Sequence, residues 1–367
     1  MMVKERVLLE IFRSGEITRM ELSRRLGVAK STLSYVLKEL RENGKVEIKL
    51  QRIGRGRPRE IVSISPKAWK SLGIKIGREA VVGILLDASL REVSKAVREV
   101  THEFRSNTGF KKLLEDVLEE MMSEDVEAIG ISVSGEVHGT VITEAPILNV
   151  YNLDLSEIVG RFFAGTFEVV EDVRAVAVYE RFEYGGDSFL IVNYGLGIGG
   201  CWCEGDRSMV LPLGHTVVDP DGEECYCGQR GCLETVASDY AVLKSFTSGS
   251  FTIREFVEYE HERYGKSLEE LWKISKGDPG EVRRHYERAI ENLSLVVGNT
   301  VKLLRPRRVA LYGEGMFDWI AEEIERRVKE RFRGIEVEVV HRGDLDAFEK
   351  GAAILAVIEG IRRGVIG

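Results

Sequence analysis

Apolar positions at helical spacing predict three short helices at the start of the chain. The first covers residues 7–12 and ends before Gly15. The second opens at Thr18, whose hydroxyl can accept the amide of Glu21 while the Glu21 carboxylate reaches back, as in a capping box. The third runs from about residue 30 to residue 42, so the segment predicts two helices joined by a tight glycine turn.

Two strands are predicted next, because residues 46–50 alternate apolar and polar positions and residues 61–64 repeat the pattern. Between them lies Gly54-Arg-Gly-Arg-Pro-Arg59, which carries arginines on a stiff glycine and proline backbone. The segment as a whole predicts a winged helix-turn-helix. Its third helix would enter the major groove of duplex DNA, and its wing would suit a narrow minor groove. An ordinary helical hairpin followed by a solvated hinge is the alternative.

The charge distribution favours the DNA-binding interpretation. The chain of 367 residues has a net charge of −8, but residues 1–59 carry 15 Lys or Arg and 7 Glu, a net +8. A basic module on an acidic body is typical of nucleic-acid-binding proteins. The residues predicted to contact DNA are exposed positions early in the third helix and arginines of the wing, namely Lys30, Ser31, Thr32, Ser34, Tyr35, Arg55, Arg57 and Arg59.

From Gly73 onward strands alternate with helices, which predicts α/β layers with partly parallel sheets. About 295 residues is large for one core, so two lobes with a cleft are expected. No apolar run approaches the roughly 18–20 residues that a membrane helix needs. The early charges do not resemble a signal peptide, so the expected compartment is the cytoplasm. The predicted strands are 81–87, 128–133, 167–171, 189–193 and 309–312, and the predicted helices are 110–122, 174–182, 285–304, 317–332 and 347–361.

All five cysteines lie between residues 201 and 232. Three of them stand with one histidine inside 18 residues, among glycines that turn the chain: His215, Cys225, Cys227 and Cys232. One imidazole and three thiolates suit tetrahedral zinc with no open position, which predicts a structural metal. A cluster of free thiols is the alternative. Cys201 and Cys203 stand two apart after a glycine loop and are expected to be buried on one face of a strand.

The segment from Gly214 to Glu234 resembles the ROK family, which contains bacterial sugar kinases and sugar-responsive repressors. The family pattern GHxxxxxxxxxCxCGxxGCxE is matched along its whole length. Residues 19–23, 27–34 and 56–58 are similar to the N-terminal domain of the repressor branch. The resemblance therefore covers essentially the full chain.

This resemblance implies a winged helix-turn-helix over residues 1–68, followed by an actin-like (ribonuclease H-like) sugar-kinase-type domain over residues 72–367. The implied domain has two lobes around a sugar and nucleotide cleft. Lobe one would cover about 72–182 with the C-terminal helix 347–363, and lobe two about 185–345. Residues 309–315 look like the adenosine segment of the family, and Gly351-Ala-Ala353 is similar to its last helix.

The phosphate loops of the kinases are altered here. Their first loop reads Asp-x-Gly-Gly-Thr, where glycines let backbone amides approach phosphate. This chain has Lys75-Ile-Gly-Arg-Glu79, in which Arg78 blocks the approach and Glu79 adds a negative charge. The second loop survives as residues 195–200 with Leu196 in place of threonine, and such a loop is also a common tight turn. These departures argue against ATP use and predict a protein that is not an enzyme.

The resemblance implies a partly retained sugar site. The Asn-Asp pair of the kinases aligns with Glu171-Asp172, whose Asp is their general base. A helix N-cap is the alternative role for Asp172. A sugar-binding Glu of the family is replaced by Pro212, whereas His215, implied to contact both zinc and sugar, and Glu234 remain. The predicted effector-binding residues are Glu171, Asp172, His215 and Glu234.

These features predict a sugar-responsive transcriptional repressor. A homodimer or higher homo-oligomer would place two third helices on a palindromic operator. Sugar binding would then change lobe closure and the separation of the two heads. One alternative is a ROK-family sugar kinase of the glucose or N-acetylglucosamine type with an accessory DNA-binding domain. Another is an effector-free DNA-binding protein whose cleft is a relic or is closed by Arg78.

Overall fold

A computed structural model of the chain describes residues 1–52, 58–165, 167–205, 207–259 and 263–367. These residues form an N-terminal head with its own small sheet and a body with two five-stranded sheets. No helix within these ranges is long and apolar enough to cross a membrane. The predicted wing residues Arg55 and Arg57 lie outside the described residues.

The head contains three helices and three strands: α1 Val3–Ser14, β1 Glu16–Thr18, α2 Arg19–Leu26, α3 Lys30–Glu42, β2 Val46–Gln51 and β3 Arg59–Ile64. Its sheet is antiparallel with strand order β1-β3-β2. The Thr18 hydroxyl accepts the Glu21 amide at 3.1 Å, which caps α2. The Glu21 carboxylate instead accepts Arg25 Nη2 at 2.6 Å, so only half of the predicted capping box forms. Gly27 ends α2 with φ +63°, a conformation that favours glycine, and the chain turns into α3.

Lobe one is built around a sheet of order β11-β7-β4-β5-β6. β4, β7 and β11 are parallel, and β4, β5 and β6 are joined as antiparallel neighbours. A small antiparallel sheet of β8, β9 and β10 lies between β7 and α5 along the chain. The elements are β4 Lys70–Ile76, β5 Ala80–Asp87, β6 Glu92–Glu99, α4 Asn107–Met121, β7 Val126–Val133, β8 Glu136–His138, β9 Val141–Ala145, β10 Val150–Asp154, α5 Ser156–Phe162, β11 Phe167–Glu171 and α6 Asp172–Tyr184.

Lobe two repeats this arrangement with a sheet of order β14-β13-β12-β15-β16. Its first three strands form an antiparallel meander and the other two add in parallel, as in lobe one. This repeated pattern defines the actin-like fold predicted from the sequence. The elements are β12 Ser188–Tyr194, β13 Ile198–Glu204, β14 Arg207–Leu211, α7 Leu233–Ala237, α8 Asp239–Thr247, α9 Ile253–Tyr259, α10 Gly265–Gly277, α11 Arg283–Leu304, β15 Arg308–Tyr312, α12 Asp318–Arg331 and β16 Glu338–His341.

The C-terminal helix α13, Ala347–Arg362, returns to lobe one and packs on β4, β7 and α6. Glycines make this approach possible. A Cβ at Gly73 or Gly130 would overlap the backbone carbonyls of α13, and a Cβ at Gly351 would overlap that of Ala175 in α6. The helix therefore lies at backbone contact with both the sheet and α6.

The head and the body share one hydrophobic core. The Phe12 ring of α1 packs in tilted contacts, with its centre 5.1 Å from the centre of the Phe182 ring of α6 and 6.0 Å from that of the Trp69 ring. The last residues of the chain close this region, since Ile361 and Ile366 are fully buried in the same cluster. A salt bridge between Lys45 Nζ and Glu127 at 3.0 Å adds a polar link between head and lobe one.

A buried carboxylate joins α6 to the sheet of lobe two. Glu180 has no exposed surface and accepts the Tyr312 hydroxyl at 2.7 Å. It also pairs with Arg308 at 2.9 Å and with Arg342 at 3.1 Å. The fully buried Glu180 carboxylate is thus satisfied by two guanidinium groups and one hydroxyl.

Replacing Glu180 tests this junction. We expect Glu180→Gln to destabilise the protein by roughly 3 kcal/mol, because it leaves two partly buried guanidinium groups without their counter-charge. Thermal and urea denaturation of the full chain measure the change. Glu330→Gln, an exposed residue of α12 paired with Arg326, is the matched control and should alter stability by no more than about 0.5 kcal/mol. Equal effects of the two variants would contradict the assigned role.

Candidate functional site

The first turns of α3 present a polar and exposed face. All five residues predicted from this helix to contact DNA are exposed: Lys30, Ser31, Thr32, Ser34 and Tyr35. Opposite them, Leu33, Val36, Leu37 and Leu40 are buried in the head. This division leaves exposed the side of α3 that a helix-turn-helix directs into the major groove. Arg59 is exposed at the start of β3.

One of these exposed α3 side chains, Ser34, already makes hydrogen bonds within the head. The Ser34 hydroxyl donates to the Lys30 carbonyl at 2.6 Å and accepts Arg19 Nη2 at 2.5 Å. Arg19 in turn pairs with Glu60 of β3 at 2.7 Å. Ser34 therefore helps hold α3 against α2 and the sheet, whereas the exposed Lys30 and Tyr35 project from the same face.

A cavity of about 990 Å³ lies between the lobes and is lined by all four predicted effector residues. Glu171 and Asp172 reach it from the junction of β11 and α6, where a strand end meets a helix start. His215 and Glu234 reach it from the opposite lobe, on either side of the cysteine-rich segment. The fold thus brings together residues that are 63 positions apart in the sequence.

Asp172 is the first residue of α6, and Glu171 occupies the N-cap position without a side-chain cap. One Asp172 oxygen accepts the Val173 amide and the other accepts the Ser134 hydroxyl, each at 2.6 Å. Burial raises the pKa of the Asp172 carboxyl, and the Ser134 hydrogen bond and the charge of Lys75 act against this rise. The carboxyl is held in a fixed orientation at the cavity wall.

The four predicted metal ligands converge. Their ligand atoms all lie within 4.8 Å of one another, with Cys225 Sγ 3.8 Å from His215 Nδ1 and Cys227 Sγ 3.7 Å from Cys232 Sγ. Tetrahedral zinc with Zn–S bonds of about 2.3 Å would separate two sulfurs by about 3.8 Å. The donor set and its spacing therefore fit a metal ion. Cys201 and Cys203 lie apart from this group, buried in β13 as expected.

The turns of this segment connect the cysteines to the cavity. Gly228 and Gly231 have φ values of +88° and +67°, and a Cβ at Gly231 would overlap the Asp219 carbonyl. Cys232 then leads directly into α7, whose first turn carries Glu234. Glu234 is 3% exposed, and its Oε1 accepts the Ile198 amide at 2.7 Å. The cysteine-rich segment thereby fixes Glu234 against the glycine loop of residues 195–200.

Residues 75–79, which correspond to the first phosphate loop of the kinases, span the end of β4 and the tight turn into β5. Arg78 in this turn is 6% exposed and reaches lobe two, where its Nη2 donates to the Val257 carbonyl at 2.7 Å. Under the surviving glycine loop lies Asp239, which is fully buried. The Asp239 amide donates to the Gly195 carbonyl at 3.0 Å, and its carboxylate lies against Gly315.

Sequence reasoning missed part of the cavity wall. Lys75 was considered only as a lost kinase residue, yet its ammonium lies 3.9 Å from the centre of the Phe348 ring and acts electrostatically on both Asp172 and Glu349. Phe348 and Glu349 come from the first turn of α13, and Ser134 follows β7. In the sequence, Glu349 is distinguished only as an acidic residue near the start of a predicted helix. Acidic residues are too common at helix starts for this to indicate a site.

A winged-helix head on a two-lobed actin-like body with a polar cleft defines the class of this protein. Residues 71–358 match the model of the ROK family, and residues 3–47 match a model described as winged helix-turn-helix DNA-binding. The chain therefore belongs to the ROK family.

Relatives and solved structures are consistent with this assignment. The chain is 28% identical to the xylose repressor of Bacillus spizizenii over 66% of this chain and 67% of that protein. It is 26% identical to the DNA-binding transcriptional repressor Mlc of Escherichia coli over 63% of this chain and 61% of that protein. The alignments thus span about three fifths to two thirds of these relatives. A crystal structure of a ROK family transcriptional regulator, a homologue of E. coli Mlc, superposes with a TM-score of 0.78 over 99% of this chain and 98% of that chain, at 22% identity, which supports the shared fold.

The raised pKa of Asp172 leads to a test of its environment. A carboxyl whose folded pKa lies above its ordinary value of 3.8 lowers stability as pH rises through the interval between the two values. We expect Asp172→Asn to raise the melting temperature at pH 7.5, with a gain that shrinks as pH falls towards 4. Asp125→Asn is the matched control, because Lys70 lowers the pKa of the Asp125 carboxyl and its removal should not stabilise the protein. A pH-independent difference would contradict this interpretation.

Proposed function

We propose that the protein is a sugar-responsive transcriptional repressor that binds operator DNA through the head and a sugar in the cleft between the lobes. One observation carries the proposal. Helix α13 lines the cleft with its first turn and lies against α1 of the head further along its length. A ligand in the cleft and the DNA-reading head are thus connected through a single rigid element.

The head supplies the DNA-binding part of the proposal. Lys30 and Tyr35 are exposed on α3 beside Ser31 and Thr32, a set that can contact phosphates and base edges. The wing arginines Arg55, Arg57 and Arg59 would add minor-groove contacts. We further propose that the head comprises residues 1–68 and the body residues 72–367. A homodimer would present two copies of α3 to the two half-sites of a palindromic operator.

The cleft supplies the effector site. Asp172 and Glu234 face the same cavity from different lobes, and His215 stands beside Glu234. Carboxylates and an imidazole in this arrangement can bind sugar hydroxyls. Glu171 would complete the set, although its carboxylate also pairs with Arg174 at 3.2 Å.

We infer that the cleft does not use ATP. Arg78 fills the first phosphate loop and is tied to the Val257 carbonyl across the cleft. Asp239 places a buried carboxylate beneath the second loop, where it would repel a phosphate group. The family relationship to sugar kinases leaves phosphorylation as the competing activity, so turnover of a hexose at ordinary kinase rates would contradict the proposal.

Zinc is the metal proposed for the four-residue cluster. The ligands would be His215, Cys225, Cys227 and Cys232, and the closed set supports a structural role. When bound, the ion would brace the segment that carries Glu234 into the cavity.

DNA binding and its release by sugar test the function directly. We expect the full chain to protect a palindromic site upstream of its own gene in footprinting, and one of xylose, glucose or N-acetylglucosamine to release it. Lys30→Ala and Tyr35→Ala should each weaken operator binding by roughly tenfold, since a base or phosphate contact contributes about 1–3 kcal/mol.

Lys273→Ala is the matched control, because Lys273 is an exposed lysine on α10 of the body. Its operator affinity should equal that of the unmodified chain. Protection that no sugar in the panel relieves would contradict the response to sugar while leaving DNA binding intact.

Metal content tests the cluster. We expect the purified chain to contain one zinc ion by elemental analysis, and Cys232→Ser to lose it, because a tetrahedral site with three remaining ligands binds zinc far more weakly. The variant should also bind sugar less tightly, since Cys232 precedes the turn that carries Glu234. Cys201→Ser, which alters a buried cysteine outside the cluster, should retain the ion. Equal zinc content in both variants would contradict the assignment.

A further inference from the structure

The cavity wall contains a carboxylate, that of Glu349, which is neither a predicted effector-binding residue nor a predicted metal ligand. Glu349 is 3% exposed, and its Oε2 has no hydrogen-bond partner among the described residues. It nevertheless lines the cavity from the first turn of α13. Burial raises the pKa of the Glu349 carboxyl, and the nearby charge of Lys75 acts against this rise. A buried carboxyl oxygen without a donor is costly to maintain, so a donor supplied from the cavity would satisfy it.

Glu349 and Asp172 share one cationic neighbour. Lys75 acts electrostatically on both carboxyls, and its ammonium rests on the Phe348 ring next to Glu349. Asp172 accepts two hydrogen bonds from the protein, whereas the Glu349 Oε2 accepts none from the part of the chain that the structure describes. Lys95 also acts electrostatically on Glu349, so this carboxyl lies near two ammonium groups, one of them shared with Asp172, and its Oε2 still has the capacity to accept a hydrogen bond from a ligand.

The charge around the cavity restricts what that ligand can be. Among the residues that the structure describes, ten Asp or Glu line the cavity against three Lys or Arg. Of those three, Arg78 is directed to the Val257 carbonyl, and Lys75 and Lys95 already act on the Glu349 carboxyl. A phosphate ester carries about two negative charges at neutral pH and would lie among these carboxylates with Lys75 already shared between two of them. A neutral sugar brings hydroxyl donors and no added charge.

We propose that Glu349 is a further ligand-contacting residue, which accepts hydrogen bonds from the hydroxyls of a neutral sugar and excludes the phosphate ester of the same sugar. This inference rests on the proposed binding of a sugar in the cleft. It adds a subsite made of Lys75, Phe348 and Glu349 to the four residues predicted from the sequence. It also places ligand contact on α13, the helix that lies against the head.

The first experiment compares ligands and needs no variant. Isothermal titration of the full chain is carried out with xylose, glucose and N-acetylglucosamine, and with xylose 5-phosphate, glucose 6-phosphate and N-acetylglucosamine 6-phosphate. The sugar that binds most tightly is expected to bind at least tenfold more tightly than its ester. An ester that binds as tightly as its sugar, or more tightly, overturns the inference and leaves the proposed sugar response standing. If no sugar and no ester binds, the proposed function fails and the inference fails with it.

The second experiment tests Glu349 itself. Glu349→Gln keeps the shape of the side chain and is expected to weaken binding of the neutral sugar by about tenfold, as for loss of a hydrogen bond to a charged group. The ratio of ester to sugar dissociation constants should fall at the same time. Glu359→Gln, the same change near the other end of α13, where the partly exposed Glu359 pairs with Arg362, is the matched control and should leave both constants unchanged.

A purely structural role for Glu349 predicts a different result. If the carboxylate served only to balance Lys75, Glu349→Gln would lower the melting temperature and leave both dissociation constants unchanged. We expect the melting temperature to be equal or higher, because the substitution removes a buried charge without a hydrogen-bond partner on one of its oxygens. Unchanged ligand affinities in a folded variant would overturn the inference.

Discussion

The close approach of α13 to its neighbours is the constraint on which the rest of the structure depends. At Gly73, Gly130 and Gly351 the absence of a Cβ lets backbone meet backbone between α13 and β4, β7 and α6. Interiors are packed as densely as organic crystals, so three such contacts leave the helix little freedom to slide or rotate. The turn that lines the cavity and the turns near the head are therefore held at a fixed distance from each other.

The shared core has a similar consequence for the head. Phe12, Trp69 and Ile366 are buried together, and separating the head from lobe one would expose each of them at about 1.5–3 kcal/mol per side chain. The head is therefore expected to follow lobe one as a unit. The boundary between the lobes is crossed by the Arg78 hydrogen bond and by the Glu180 ion pairs, and the same apolar core also reaches Phe189 and Tyr312 in the sheet of lobe two.

Local patterns in the sequence predicted those elements that can be recognised from the spacing of residues close together in the chain. Helix α3 begins and ends at the predicted residues because Leu33, Val36, Leu37 and Leu40 repeat at helical spacing. The cluster of one histidine and three cysteines was recognisable because its cysteines and glycines are close together in the sequence. β6 was missed because it is an edge strand with exposed Val93 and Val97 among charged residues, a pattern without a buried face.

Features that depend on distant residues could not be predicted in this way. Glu180 lies in a helix that was predicted correctly, yet a glutamate in a helix is normally a surface residue, and only the fold brings Arg308 and Arg342 to it. The helical nature of α13 was likewise predictable from its apolar sequence. Its close contact with β4 was not, because it depends on Gly73 and Gly130, which lie more than 200 residues earlier in the chain.

The electrostatics of the cleft bear on how the proposed neutral sugar would act on so large a structure. Burial raises the pKa values of Asp172, Glu234 and Glu349, so the ligand-free cavity holds these carboxyls at a cost in stability. A ligand rich in hydroxyl groups offsets that cost only where it reaches carboxyls from both lobes. The proposed sugar would therefore bind best to the arrangement that brings Glu234 towards Asp172 and Glu349. A ligand shifts a conformational equilibrium by its difference in affinity between the two states, and couplings of about 1–3 kcal/mol are typical of such regulation. Because two of the three carboxyls belong to elements anchored against the core that includes α1, the proposed sugar would express that difference in affinity in the position of the head.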